Sequence, residues 1–221
     1  MTVDERADPP QSGLAVLRGA PLRHRVRDGR GPLALGSALL VVPAVVLVLA
    51  GTGVTGPETR AFRLLNDLPA ALGTVLEPAM ALGTIPAVVV IAILVGWVYR
   101  RPAPVIALAA GSWTAYVTAQ ILKEIVGRAR PVGVYVELNL RAAADGFGFV
   151  SGHAAVAAGA AAALAPWLDR RARVIAWCLV VIVATARVYV GVHLPLDVVG
   201  GVGVGLICGT LATIAAGTPD R

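Results

Sequence analysis

The sequence has little charge, few aromatic residues and almost no lysine. Only 14% of its 221 residues are charged and 5% are aromatic, whereas 57% are hydrophobic. The mean hydropathy is +0.77. So few charges cannot cover the surface of a soluble domain of this size, and the composition therefore excludes an ordinary soluble protein. It predicts one compact all-α membrane domain instead.

Cysteine is equally scarce. The two cysteines, Cys178 and Cys208, both lie inside apolar segments. They lack the paired Cys/His spacing of a metal site. We therefore expect two buried free thiols, which is the usual environment of a cysteine without a redox or metal role.

The excess of basic residues does not indicate a nucleic-acid partner. The net charge is +6 and the pI is about 10.1, but the basic residues lie between apolar segments, where membrane topology accounts for them. No basic groove interleaved with exposed aromatic residues is visible. The usual footprint of a nucleic-acid-binding protein is therefore missing.

Residues 1–31 are predicted to form a basic cytoplasmic tail that is disordered. This segment is rich in proline and arginine, a composition that suits a solvated chain lying on anionic lipid. A short interfacial helix near residues 13–19 is the alternative. A signal peptide is not expected, because the apolar stretch that follows is long enough to span a bilayer.

Six apolar segments predict six transmembrane helices in a membrane domain over residues 32–216. Their approximate bounds are 32–51, 80–99, 103–126, 153–168, 173–190 and 195–216. A span needs about 20 residues, so the fourth is marginal by length. Its small residues permit close packing within or between protomers, which leaves a homo-oligomer open. Residues 57–79 have apolar residues near helical spacing, interrupted by charges, and predict an amphipathic helix along the membrane surface.

The arginines of the short loops predict the orientation in the membrane. With six spans, one side receives the tail, the 100–101 and 170–173 loops and the C-terminal residues 217–221, all of which contain arginine. The positive-inside rule makes that side cytoplasmic. We therefore expect a multi-pass protein of the plasma membrane with both termini in the cytoplasm. The 127–152 loop and the turn between the fifth and sixth spans then share the opposite, extracytoplasmic face.

That face contains every polar residue with an unusual position in this sequence. The only lysine, Lys123, precedes Arg130-Pro131, and Ser151-Gly152-His153, Arg187, His193 and Asp197 follow. Ionisable groups at the ends of apolar segments usually mark a working site. The two arginines and the lysine can bind a phosphate dianion. Ser151 and Gly152 precede a helix whose first amides form a natural anion site.

The remaining groups suit phosphoryl transfer. His193 and Asp197 are four residues apart, which places the carboxylate one helical turn away on the same face. A carboxylate bonded to one imidazole nitrogen makes the other a better nucleophile. His153 is then free to act as the general acid. Taken singly, each residue has a plainer explanation, such as an orientation anchor, a snorkelling arginine or a helix-capping pair.

A metal site is the other obvious use of two histidines and an aspartate. Here the histidines would share their pocket with three permanent cations, which oppose a divalent ion electrostatically. We therefore expect no metal and no other cofactor.

These residues resemble the three-part signature of the type-2 phosphatidic acid phosphatase family, whose active site is related to that of vanadium haloperoxidases. The first element, K-x6-RP, is complete at Lys123 to Arg130-Pro131. The second, PSGH, has Val150 in place of proline. The third, SR-x5-H-x3-D, has Ala186 in place of serine and otherwise matches at Arg187, His193 and Asp197. The resemblance spans residues 57–216, including the region of Asn66 and Gly83.

The resemblance implies a metal-independent, six-helix lipid phosphatase. It implies that His193 forms a phosphohistidine and is oriented by Asp197, and that His153 protonates the leaving group. The phosphoryl oxygens would be bound by Lys123, Arg130, Ser151, Gly152 and Arg187. A polyprenyl phosphate or diphosphate carrier is the favoured substrate, with phosphatidic acid and phosphatidylglycerophosphate as alternatives. A lipid phosphotransferase and a non-catalytic lipid-phosphate-binding protein remain open; a transporter is less favoured, because no inverted repeat is visible.

Overall fold

The computed structural model describes residues 22–23, 29–51 and 53–219. Most of the expected tail over residues 1–31, including the alternative helix near 13–19, lies outside the described residues. The described part is helical apart from a two-residue antiparallel pairing of Leu22–Arg23 (β1) with Thr218–Pro219 (β2). Its α-helices are α1 (Arg30–Leu49), α2 (Gly56–Asn66), α3 (Gly73–Ala79), α4 (Ile85–Tyr99), α5 (Pro102–Val126), α6 (Gly152–Leu164), α7 (Arg170–Tyr189) and α8 (Pro195–Ala216).

Local sequence signals fix where the helices begin. Thr55, Thr84 and Asp169 cap α2, α4 and α7, each accepting a hydrogen bond from an amide of the first turn. α5 and α8 begin at a proline, a residue that fits the first helical position because its missing N–H would have no partner there. Capping and proline placement therefore account for the start of five helices.

The short helix α6 is the centre of the fold. It packs against α5, α7 and α8, and every one of its residues except His153 is buried. Small side chains allow this close approach. A methyl group added at Gly205 of α8 would lie 2.6 Å from the amide of Gly159 and 2.7 Å from the side chain of Ala158. The three helices that surround α6 therefore hold both ends of the 127–151 loop and the turn before α8 in fixed positions.

Fewer described helices are long enough to cross a membrane than the six spans that the sequence predicts. All six predicted segments are helical, but four described helices are long and apolar enough to cross a membrane, or five if the bent pair Ala70–Gly83 and Ile85–Tyr99 is one span. The predicted fourth span over 153–168 is a helix of only 13 residues. It ends at Leu164 because Pro166 and the α7 cap Asp169 follow, and at 1.5 Å per residue it measures about 20 Å.

The prediction of one continuous helix over residues 57–79 is wrong. The segment forms α2, a 3-10 turn over Ala70–Leu72, and α3. The break follows from Pro69, which cannot continue a helix across the preceding residues. α2 buries Phe62 and Asn66 against the rest of the molecule, so its apolar face packs on protein. The two short helices cover the end of the bundle at which α7 ends.

The two ends of the bundle differ in what they bring together. At one end, the Tyr99 hydroxyl donates to the Trp167 carbonyl at 2.8 Å, and β1 pairs with β2. At the other end, Asn66 donates to the carbonyls of Asn139 and Tyr189, each at 2.9 Å. The segment before α1 and the segment after α8 thus meet at the same end, opposite the 127–151 loop.

One smaller expectation is also wrong. Cys178 is an exposed free thiol and Cys208 is only partly buried. Cys178 lies on the outer face of α7, beside Val181 and Ile182, where the surrounding apolar medium of a membrane takes the place of a protein core. An apolar sequence segment in a membrane protein therefore does not by itself predict burial against protein.

Candidate active site

A cavity of about 370 Å³ opens at the end of the bundle covered by α2 and α3. Residues from four places in the sequence line it: the α3–α4 connection, the end of α5 with the segment after it, the start of α6, and the segment from the end of α7 to α8. The lining residues are Gly83, Thr84, Ile85, Pro86, Tyr116, Gln120, Lys123, Arg130, Gly152, His153, Arg187 and His193. The structure thus brings together residues that are more than a hundred positions apart in sequence.

Three cations surround this cavity. The Nζ of Lys123 is 2.9 Å from the Oε1 of Gln120, one turn earlier on α5. Arg130 donates from Nε to the Gly146 carbonyl at 3.1 Å and from Nη1 to the Val192 carbonyl at 2.8 Å. These bonds fix the guanidinium and leave its Nη2 without a partner among the described residues. The cavity therefore presents a positively charged wall to an anion.

Arg187 also has a guanidinium donor without a partner among the described residues. Its only hydrogen bond in the described structure is a long contact of 3.5 Å from Nη1 to the sulfur of Met80. The Nε atom is buried and has no partner. An unpaired buried guanidinium N–H is costly, and an oxyanion in the cavity would supply the missing acceptor. Arg187 therefore points to an anionic ligand more strongly than a paired arginine would.

The beginning of α6 forms another wall. Ser151 is the residue before the helix; its amide donates to the Asp197 carbonyl at 2.8 Å, and its buried hydroxyl has no partner. A methyl group added at Gly152 would lie 3.8 Å from the Nζ of Lys123. The first amides of α6 and the ammonium group therefore face the same space, which is the arrangement of a helix-terminus anion site.

His153 is in the first turn of α6 and lines the cavity. The 3-10 turn before α4, Met80–Gly83, packs closely behind it, because a methyl group added at Gly83 would lie 2.6 Å from the His153 carbonyl. Only glycine allows this approach at position 83. The contact fixes the backbone of His153 while its side chain remains the one part of α6 that is not buried.

His193 lies in the segment between α7 and α8 and is almost fully buried, with its Nδ1 3.5 Å from the Oδ2 of Asp197. This distance is long for a hydrogen bond, although such bonds often tighten when a substrate binds. Burial lowers the pKa of His193 from its ordinary value to about 4, because the charged imidazolium loses its hydration. The imidazole is therefore neutral at neutral pH, which is the form required of a nucleophile.

Asp197 itself is buried behind the cavity and is held on both oxygens. Its Oδ2 accepts from the Leu194 amide at 2.9 Å, and its Oδ1 accepts from Arg128 at 2.7 Å. Of the eight predicted site residues, six line the cavity directly. The other two, Ser151 and Asp197, are fully buried beside it.

The sequence analysis did not identify Arg128 and Glu58. Arg128 donates from Nη2 to the Oε2 of Glu58 at 2.6 Å and from Nη1 to its Oε1 at 3.1 Å. The same Oε1 accepts from the Leu196 amide at 3.0 Å. Arg128 thus bridges two carboxylates, each no more than 2% exposed. This charge network of Arg128, Glu58 and Asp197 holds the Oδ1 of Asp197, whereas Oδ2 is the oxygen nearest His193.

A signal for part of this network was present in the sequence. Arg128 lies two positions before Arg130, inside the first motif element. Both arginines are in the short segment 127–131. Glu58 is distant in sequence and lies in an amphipathic segment that also contains other charges. Nothing local distinguishes it from a solvent-exposed acid, so only the three-dimensional structure could identify it.

Within residues 22–23, 29–51 and 53–219, no group of three or more His, Cys, Asp or Glu side chains is close enough to hold a metal ion. The acidic groups nearest His193 are already bound to Arg128 and to backbone amides.

Comparisons with known proteins identify the family of this chain. The sequence profile of the PAP2 superfamily matches residues 78–219. The crystal structure of Aquifex aeolicus LpxE has a TM-score of 0.67 and 25% identity, covering 72% of this chain and 95% of that one. The crystal structure of a transmembrane PAP2-type phosphatidylglycerolphosphate phosphatase from Bacillus subtilis has a TM-score of 0.63 and 24% identity, covering 82% and 93%. A search of curated protein sequences finds no significant match.

The profile match covers well over half of the chain, including all three motif elements and every residue that lines the cavity. The protein is therefore a membrane protein of the PAP2 superfamily.

Proposed function

We propose that this protein is a metal-independent lipid phosphatase that hydrolyses a phosphomonoester or a diphosphate of a membrane lipid through a phosphohistidine intermediate. One observation carries the proposal: Lys123, Arg130, Arg187 and two histidines line a single cavity. Three cations bind a phosphoryl group, and the two histidines supply the nucleophile and the acid that its transfer requires.

The first step forms the phosphohistidine. The Nε2 of neutral His193 attacks phosphorus in line with the ester oxygen, a bond forms between nitrogen and phosphorus, and the bond from phosphorus to the leaving oxygen breaks. Protonated His153 donates its proton to that oxygen, which departs as an alcohol or, from a diphosphate, as a phosphate. The unpaired donors of Arg187 and Arg130 bind the phosphoryl oxygens, on which negative charge develops in the transition state.

The second step regenerates the enzyme. A water molecule attacks the phosphorus of phosphohistidine 193 while the now neutral His153 accepts a proton from it. The nitrogen–phosphorus bond breaks, inorganic phosphate leaves, and both histidines return to their initial protonation states. Asp197 stabilises the positive charge that the imidazole of His193 carries in the intermediate, as a buried carboxylate does for an imidazolium.

In this proposal Arg128 and Glu58 are positioning residues. The Asp197 carboxylate is held on Oδ1 by Arg128, which Glu58 fixes with two bonds. The pair therefore determines which oxygen faces the imidazole. It also balances the buried charge, because an isolated buried carboxylate is costly.

We further propose a six-span topology in the plasma membrane, with both termini cytoplasmic and the cavity on the extracytoplasmic face. The pairing of β1 with β2 supports an even number of crossings between them. The short α6 is surrounded by protein, so it does not need the full length of a lipid-exposed span. At the cavity end, Arg128 and Arg130 are buried and hydrogen-bonded. They do not count against the positive-inside rule, which concerns exposed loop charges.

A polyprenyl phosphate or diphosphate is the first candidate substrate, because a site on the outer face is suited to recycling a lipid carrier. Phosphatidylglycerophosphate and phosphatidic acid are the alternatives. The former is the substrate named for the Bacillus subtilis protein, whose fold is similar to that of this chain.

The direct test is phosphate release from a panel of lipid phosphates and diphosphates by the purified protein. We expect release from at least one of them, and a fall of at least about a thousandfold in His193→Ala, as for removal of a catalytic nucleophile. His24→Ala, a change of the remaining histidine, is the matched control and should leave the rate unchanged. Unchanged release by His193→Ala would refute the assignment of the nucleophile.

The alternative functions give different results in the same assay. A lipid phosphotransferase would transfer the phosphate to an added acceptor alcohol in preference to water. A non-catalytic binding protein would bind the lipid phosphate but release no phosphate from any member of the panel. The proposed phosphatase releases inorganic phosphate without an acceptor.

A further inference from the structure

A second cavity, of about 300 Å³, lies between α4, α6 and α7, next to the proposed active site. α6 forms its floor and α7 forms one wall, while Leu82, in the turn before α4, and Ile91 of α4 lie on the other side. Its lining residues are all apolar: Leu82, Ile91, Ala157, Ala160, Ala161, Leu164, Leu168, Ala172, Ile175, Ala176, Leu179, Val180 and Val183. We call this cavity the alanine groove.

The alanine groove is aligned with His153. Residues 153, 157, 160, 161 and 164 follow helical spacing, so they occupy one face of α6. The first of them lines the cationic cavity and the other four line the groove. From His153 to Leu164 this face extends for about 16 Å along the helix axis. The groove therefore begins one turn from the proposed general acid and leads away from it along α6.

The two cavities also adjoin at the 3-10 turn before α4. Leu82 lines the alanine groove, and its neighbour Gly83 lines the cationic cavity. Residues 157, 160 and 161 are alanines, and their short side chains leave the groove deep. α4 packs on α5 and α7 packs on α6, with little direct contact between α4 and α7. This leaves the groove open at its side, toward the lipid.

We propose that the alanine groove binds the hydrocarbon chain of the lipid whose phosphate occupies the cationic cavity. This inference rests on the proposed function and adds the site that binds the other half of the substrate. The occupant must be apolar along its length, because the groove offers it no charged group. It must also carry an anionic head at one end, because the groove leads to Lys123, Arg130 and Arg187.

The chain gains little hydrophobic free energy from this site, since it moves from one hydrocarbon environment to another. What the groove supplies is orientation. A chain that lies along the α6 face directs the ester oxygen toward His153, and this alignment lowers the barrier by restricting the reactants to a productive arrangement. A narrower groove should therefore reduce turnover of long-chain substrates and leave small phosphate esters unaffected.

Two leucine variants test this dependence on the chain. Ala161→Leu raises the floor of the groove, and Ala176→Leu, at a partly exposed position on α7, narrows its wall with less risk to packing. Ala110→Leu, on the exposed face of α5, is the matched control. We expect kcat/KM for a long-chain alkyl phosphate to fall about tenfold in both groove variants, because even one methylene group in an apolar pocket has an effect of that order. The kcat/KM for p-nitrophenyl phosphate, which has no alkyl chain, should change by less than about twofold. Equal losses for both substrates, or no loss for either, would overturn the proposal.

A binding experiment separates this inference from the proposed function. His193→Ala protein is photolabelled with an alkyl phosphate that carries a diazirine in mid-chain, and in parallel with the corresponding alcohol. We expect the phosphate to label α4, α6 and α7, and to do so more strongly than the alcohol. Equal labelling by the two, or labelling of the outer face of α1, would show that bulk lipid fills the groove. Groove labelling without phosphate release by the native protein would refute the phosphatase and leave the groove assignment intact.

Discussion

The two histidines of the cavity have different environments, and we therefore expect them to have different roles. His193 is buried against Asp197, whereas the side chain of His153 is partly exposed at the start of α6. A buried neutral imidazole suits a nucleophile, and a more accessible one suits proton exchange with a leaving group and with water. The residue types and their spacing in the sequence predict these roles; the long 3.5 Å separation and the network behind Asp197 required the structure.

The role of His153 as general acid predicts a dependence on the leaving group. His153→Ala should lower kcat for an alkyl phosphate by about a hundredfold to ten-thousandfold, the usual contribution of a general acid. The loss should be much smaller for p-nitrophenyl phosphate, because p-nitrophenolate departs without protonation. Steady-state rates for both substrates give the comparison. Equal losses would indicate that His153 binds the phosphoryl group without donating a proton.

The charge network predicts an effect of Arg128 without contact to substrate. Arg128→Lys cannot bond both Glu58 and Asp197 in the same geometry, so kcat should fall by about a hundredfold, the effect of a small displacement of a catalytic group, with KM nearly unchanged. Arg60→Lys, on the exposed face of α2, is the control. A rise in KM alone would place Arg128 in substrate binding instead.

The low pKa of His193 is directly measurable. In the protein with ¹⁵N-labelled histidine, the resonance that disappears in His193→Asn should titrate near pH 4, well below its ordinary value of 6.5. Between these values the unfolded chain binds a proton that the folded chain does not. The contribution of this residue to the free energy of unfolding is therefore complete above about pH 6.5 and declines toward pH 4. A titration midpoint at or above 6.5 would contradict the buried environment of this imidazole.

At the level of elements, the position of the site depends on how closely α8 approaches α6. The sequence predicts all six long apolar segments as helices, because apolar composition, prolines and capping residues are local signals. The sequence overestimates the length of α6 and predicts α2 and α3 as one helix. The helices end near Pro166 and Pro69, but the apolar pattern of the sequence continues past both prolines. The close packing at Gly205 was not predictable, since it depends on which helix lies opposite.

This packing predicts a coupled loss of stability and activity. Gly205→Val would force α8 away from α6, because even a methyl group there meets the Ala155 carbonyl and the Gly159 amide. Overpacking of this kind costs about 1–3 kcal/mol. We expect a lower midpoint of thermal unfolding and a lower kcat, since α8 begins beside His193. Gly31→Val, at a position with open space around it, is the control and should change neither quantity.

At the level of the whole molecule, the two ends of the bundle differ in their charge, and the proposed function depends on this difference. One end has exposed arginines in short loops, whereas the other has a cavity lined by Lys123, Arg130 and Arg187. Sequence order and helix number predicted that the motif elements would meet at one face. The volume of the cavity and the adjoining alanine groove arise from packing between distant segments, which no local pattern encodes.

The central claim is that His193 carries the phosphoryl group. Its most direct test is to mix the purified protein with a lipid substrate labelled with ³²P at the transferred phosphoryl group, quench under alkaline conditions that preserve phosphohistidine, and map the label by mass spectrometry. We predict a single labelled site at residue 193, present in the native protein and absent in His193→Ala. Label at any other residue, or full turnover by the variant without label, would contradict the account.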